Sequence, residues 1–148
     1  MKTKQIHLYT IDEHPDKEVV FDWIRNNWHD LGDSDMDDFI ESLKALADEV
    51  GGKLDYSVSL FPDRGEFIRI TDFNATAMER VLRDKNDLPL TGTWSDDVVI
   101  NGLINGDLEY QVLKAIHAEG EYIYSDEGLE DLCEANGYYF TEDGTFHE

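Results

Sequence analysis

The spacing of apolar positions divides the chain into short elements. From Lys4 to Thr10, Ile6 and Leu8 alternate with His7 and Tyr9, the two-residue period of a half-buried strand. Between Pro15 and His29 the period changes. Val20, Trp23, Ile24 and Trp28 recur at helical spacing, leaving Asp16, Lys17, Glu18, Arg25 and Asn26 for the wet side. After a turn at Leu31-Gly32-Asp33, Ser34 with Asp37 three residues on resembles a capping box and predicts a second helix start. Met36, Phe39, Ile40, Leu43, Leu46, Ala47 and Val50 then form one stripe that must face a core, and Gly51-Gly52 stops it.

Leu54, Tyr56, Val58 and Leu60 alternate with polar residues, Pro62-Asp63-Arg64-Gly65 makes a turn, and Glu66 to Thr71 returns as a strand carrying Ile68 and Ile70. This pair predicts an antiparallel hairpin. Thr76 and Glu79 match a capping box ahead of Met78, Val81 and Leu82, a short helix that ends before Asn86-Asp87-Leu88-Pro89. Ser95 is placed to cap a helix with Val98, Val99 and Leu103, ended by Asn105-Gly106, and Asp107 to cap another running to about His117. Ser125 caps a last helix with Leu129, Leu132 and Cys133, closed by Asn136-Gly137. Tyr138 to Phe140 and Thr145 to His147 flank Glu142-Asp143-Gly144 as a terminal hairpin. Locally pairing strands interrupted by helices predict an α+β fold: a small, largely antiparallel sheet with several helices packed mainly on one face. There is no repeat and no Gly-, Pro- or Ser-rich linker, so residues 1–148 read as a single acidic α+β domain.

Composition supports a packed fold. Of the residues, 41% are hydrophobic, with seven Phe, seven Tyr and three Trp, too many large apolar side chains for a disordered acidic tail. At this length a domain buries roughly 68–70% of its unfolded surface. No segment reads as a signal peptide or membrane span. The lone Cys133, between apolar neighbours, reads as a buried small hydrophobe, and a reducing cytoplasm fits best.

Charge changes the picture most. The net charge is -22, and it is uneven: residues 1–85 hold 19 acids against 11 bases, residues 86–148 hold 15 acids against Lys114 alone. Such a field repels DNA, RNA and anionic lipid and favours encounter with a basic surface. Direct nucleic-acid or membrane binding is therefore not expected.

Sites of chemistry are sparse. Asp33-Ser34-Asp35-Met36-Asp37 has the spacing that opens a calcium loop, but Asp38 stands where the sharp turn needs Gly, and Lys44 where a bidentate Glu should close the shell. Asp63, Glu66 and Arg69 are too closely spaced for a nuclease magnesium site, and the usual lysine is absent. His7, His14, His29, His117 and His147 fall in different elements without zinc-ligand spacing, His14 and His29 reading as residues that cap or flank a helix. No P-loop, dinucleotide fingerprint or nucleophile elbow is present. The expectation is a non-enzyme without metal or cofactor. Tyr122 and Tyr124, interleaved with acids in Glu119-Gly-Glu-Tyr-Ile-Tyr-Ser-Asp-Glu-Gly128, suit either a surface for Arg and Lys side chains or simple cover for a core.

Three segments carry a resemblance: Ile6-His-Leu-Tyr-Thr-Ile-Asp-Glu13, residues 54–73, and Glu121-Tyr-Ile-Tyr-Ser-Asp-Glu-Gly-Leu-Glu130 leading to Asn136-Gly-Tyr-Tyr-Phe-Thr-Glu-Asp-Gly144. Together they resemble a group of small acidic proteins of tailed bacteriophages and prophages, mostly uncharacterised, some catalogued as antitoxin-like. The resemblance implies phage origin, hence the host-cell cytoplasm, and its motifs carry no catalytic residues.

An anionic body of phage origin suits a host defence or DNA-processing complex, whose basic groove it would fill by DNA mimicry, as an anti-CRISPR-like or anti-restriction-like inhibitor. The alternatives are an antitoxin covering a basic toxin, a phage accessory protein, and an enzyme whose site assembles only in three dimensions. The candidate binding residues are Asp30, Asp33, Asp35, Asp37, Asp38 and Glu41 in the first acid-rich stretch. Glu119, Glu121, Tyr122, Tyr124, Asp126, Glu127, Glu130 and Asp131 form the second. The expected partner is a basic protein surface on a nucleic-acid-binding complex.

Overall fold

The computed structural model describes residues 6–85, 88 and 90–148. Its elements in chain order are α1 (Lys17–Asn27), α2 (Asp33–Glu49), β1 (Lys53–Ser57), β2 (Phe67–Thr71), α3 (Ala75–Arg83), α4 (Ser95–Asn105), α5 (Leu108–Ile123), α6 (Asp126–Asn136), β3 (Tyr139–Phe140) and β4 (Phe146–His147). The class is mixed α+β with antiparallel pairing, as the sequence predicts. The chain forms two compact units, one of residues up to Leu31 with Tyr122–Glu148, the other Gly32–Glu121.

The Gly32–Glu121 unit is built on the stripe of α2. Phe39, Leu43, Leu46 and Val50 are fully buried with Val81, Val99, Val112 and Ile116. β1 and β2 pair as the expected hairpin, Lys53 opposite Thr71 and Ser57 opposite Phe67. Ile68 and Ile70 point into the core, while Lys53, Asp55 and Tyr56 of β1 stay exposed. The other unit buries Ile11, Val20, Phe21, Ile24, Leu129, Cys133 and Phe140, with Trp23, Trp28, Tyr138 and Phe146 packed around them. Cys133 is a core residue as expected; burial first, and then Glu130 and Glu134, push its thiol up to about 11.

Several local expectations need correction. The strand expected over Lys4 to Thr10 reduces to a bridge in which Tyr9 and Phe140 exchange both backbone hydrogen bonds, at 2.9 and 2.8 Å. β3 has only two residues and offers no longer ladder; Lys4 and Gln5 lie outside the described residues, as do Asn86, Asp87 and Pro89 of the turn expected after α3. Among the described residues the strands form two separate two-stranded sheets rather than one. α5 runs to Ile123 instead of stopping near His117. Gly120, within that extension, is a contact point: a Cβ there would lie 2.6 Å from the Leu60 carbonyl oxygen.

The caps differ for physical reasons. α2 starts at Asp33 from Gly32 in the left-handed conformation (φ 91°), without the Ser34 box. α3 is capped by Asn74, whose side chain accepts from the Ala77 N–H, in place of Thr76. α4 takes Trp94 as its N-cap because the Ser95 hydroxyl is drawn into a buried network. Ser125 caps α6 as expected, and Gly137 closes it at φ 62°. His14 flanks α1 in the expected way: its Nδ1 accepts from the Asp16 N–H at 3.0 Å and its Nε2 donates to the Thr141 carbonyl at 2.8 Å.

Candidate acidic interaction surface

The sequence of α2 separates charge from core. Asp33, Asp37 and Glu41 follow each other at four-residue spacing, about 6 Å of helix rise apart. All three are exposed, on the side opposite Phe39, Leu43 and Leu46. The acids of the first turn also oppose the helix macrodipole, so this charge costs the helix little. Lys44 pairs with Glu41 at 3.3 Å, but both are exposed, which leaves that pair weak. Asp30 is exposed in the other unit.

Asp35 and Asp38 are half-buried, and the Ser95 Oγ of α4 donates to the Asp38 carbonyl at 3.2 Å. The end of α5 approaches the same region. Glu119 is half-buried; burial, and then the Asp35 charge, push its carboxyl above the usual range. Asp35 of the first acid-rich stretch and Glu119 of the second are thus brought together, while Glu121 is exposed further along α5.

The acids of α6 are different, because many already have partners. Arg25 Nη2 donates to Asp126 at 2.5 Å, and Lys17 Nζ to Glu130 at 2.8 Å. Tyr122 Oη donates to Asp131 at 2.6 Å. Tyr124 Oη donates to the Trp28 carbonyl at 2.8 Å, and its own carbonyl accepts from Arg25 Nε at 2.9 Å, so Tyr124 is held within the fold. Glu127 is exposed.

Sequence reading missed Asp12 and Glu134. With Glu130 they bring carboxylate oxygens within 4.8 Å of one another, an all-oxygen set of the kind that could gather on a hard cation. Lys17 already serves there as a counter-charge, and a hydrogen bond shared with Asp12 raises Glu134 above the usual carboxyl range. Glu130 and Glu134 are four residues apart on α6 and so neighbours by helical spacing, but only the chain path brings Asp12 to them.

Two more polar constellations belong to the Gly32–Glu121 unit. Buried Asp96 accepts from the Ser42 and Thr91 hydroxyls, both at 2.7 Å, and from the Gly92 N–H at 2.8 Å. His117 Nε2 lies 2.9 Å from Glu66, which also accepts from the Ser59 N–H at 3.0 Å. That carboxylate orients the imidazole as it would a general base, and it ties α5 to the loop between β1 and β2. Glu66 therefore answers to His117, while Arg69 lies over the Phe67 ring at 5.5 Å.

No protein-family model, curated protein or solved structure matches this chain. Among the described residues no helix is long and apolar enough to cross a membrane.

Proposed function

We propose that this chain is an acidic binding protein of phage origin that occupies the basic surface of a host nucleic-acid-binding defence or DNA-processing complex, its carboxylates standing where phosphates bind. The observation that carries this reading is the exposed ridge of Asp33, Asp37 and Glu41 on a helix anchored by its opposite face. A ridge on a rigid helix presents charge at fixed intervals, and fixed charge loses little entropy on binding. The acids of α6, largely held by Lys17, Arg25 and Tyr122, contribute field rather than contacts.

The test immobilises the wild type and an Asp33→Asn/Asp37→Asn/Glu41→Gln variant in a bacterial lysate. Elution is by rising salt or by competing duplex DNA. The expected result is a nucleic-acid-binding complex held by the wild type, released by both eluents and not held by the variant. Equal retention by the variant, or no salt-sensitive complex, rejects the reading; recovery of one small basic protein replaces it with an antitoxin role.

A further inference from the structure

We infer that the outer edge of β1 is a self-association surface, on which a second copy of this chain adds its own β1, antiparallel and centred on Leu54. This does not rest on the function proposed above. β1 and β2 form a sheet of two strands, so each has one edge without a neighbouring strand. The β2 edge is closed, because the Ile68 N–H donates to Glu109 of α5 at 3.1 Å. That bond also fixes the direction of the main chain across the hairpin. Ile68 stands opposite Tyr56, and two opposed residues of an antiparallel pair turn their N–H and C=O groups either toward each other or both outward. Ile68 turns outward, so Tyr56 does too, and by alternation Leu54. Among the described residues no other group bonds to the main chain of either. Such a row of unpaired donors and acceptors is a template for another strand.

Charge selects the occupant and the register. Lys53 and Asp55 are exposed on β1, where charges ordinarily guard an edge against other chains. Against its own copy β1 has few two-fold registers. Centred on Asp55, it sets that carboxylate against itself; centred on Lys53, it opposes two ammonium groups. Centred on Tyr56, it sets Asp55 against Ser57 and makes no ion pair. Centred on Leu54, it sets Lys53 of each copy against Asp55 of the other, with Leu54 exchanging two main-chain bonds and Tyr56 lying across Gly52. The guard thereby becomes a selector for self. Both charges are available: Lys53 holds Asp72 only at 3.6 Å with both side chains exposed, and Arg69, opposite Asp55, lies over the Phe67 ring. The place also escapes the repulsion between two chains of net charge -22, since residues 53–85 hold six acids and six bases.

The test is sedimentation equilibrium of the full chain from about 1 μM to about 1 mM at a fixed salt of about 0.15 M. The wild type should dimerise. Lys53→Asp and Asp55→Lys should each weaken the dimer by roughly fourfold or more, and the double variant Lys53→Asp/Asp55→Lys, which keeps the net charge, should restore it. Asp55→Lys discriminates most, because it makes the chain less negative: general repulsion alone would have it tighten the dimer. Tyr56→Pro removes an outward N–H and spares the β1–β2 ladder, so it should leave a folded monomer with a near wild-type melting temperature. If Tyr56→Pro unfolds, the charge swap decides alone. A wild type that stays monomeric, a dimer that survives folded Tyr56→Pro or both single reversals, a dimer tightened by Asp55→Lys, or reversals that the swap does not rescue each overturns the β1 site.

Discussion

Asp96 shows how one residue can carry charge inside this protein. Burial acts to raise its carboxyl, but hydrogen bonds from Thr91, Ser42 and the Gly92 N–H outweigh that and hold it below the usual range. Asp96→Asn keeps the shape and turns one acceptor into a donor that faces an N–H or hydroxyl. The expected loss is about 1.5–3 kcal/mol, as for a hydrogen bond to a charged group. Because the folded carboxyl titrates lower than the unfolded one, the unfolded chain takes up protons first as pH falls. The stabilisation is therefore complete above the ordinary aspartate range, near about pH 4, and disappears as pH drops through the folded value. Urea midpoints of the wild type and Asp96→Asn, taken between pH 7 and pH 3, should converge at the acid end. A gap that stays constant would remove the charge from the explanation. Glu66 follows the same rule, burial raising it and bonds from His117, Ser59 and Asp63 lowering it further.

At the scale of elements, the turn between α5 and α6 has the sharpest requirement. The Ser125 side chain accepts from the Gly128 N–H at 3.1 Å, and a Cβ on residue 128 would fall 1.9 Å from the Tyr122 carbonyl oxygen. Alanine for glycine within a helix ordinarily stabilises by about 0.5–1 kcal/mol. Gly128→Ala should do the opposite, lowering the melting temperature, because the turn must move to admit the methyl. An unchanged or raised melting temperature would show that the turn yields freely. Element positions were largely legible, since apolar period and glycine stops are local signals: the α2 stripe, the β1–β2 hairpin and the Ser125 cap all appear where the pattern puts them. Caps were less so. Ser34, Thr76 and Ser95 each satisfy a local rule, yet Gly32, Asn74 and Trp94 hold the positions, and for Ser95 the reason is that its hydroxyl is taken by the bonds to Ser42 and the Asp38 carbonyl.

For the whole molecule, self-repulsion is the governing term. The unit up to Leu31 with Tyr122–Glu148 holds 14 acids against 4 bases, and Gly32–Glu121 holds 20 against 8, so neither neutralises itself. Raising sodium chloride from about 0.01 M to about 0.15 M shortens the screening length from about 30 Å to about 8 Å. The melting temperature should rise steadily over that range. A fall would mean that pairs such as Lys17–Glu130 and Arg25–Asp126 outweigh the repulsion between like charges.

Sequence alone determined what depends on neighbours a few residues away, namely helices and hairpins and the burial of the α2 stripe and Cys133, together with the net charge of -22. It could not tell which carboxylates are free. Asp37 and Asp126 look equivalent along the chain, and only the fold sets Arg25 against Asp126 while leaving Asp37 on an open ridge. The same holds for Trp94, an isolated aromatic in a polar turn until Phe39 supports it from a distant helix. Hydrogen bonds and ion pairs act over a few ångströms, and the residues that come that close are chosen by the path of the whole chain.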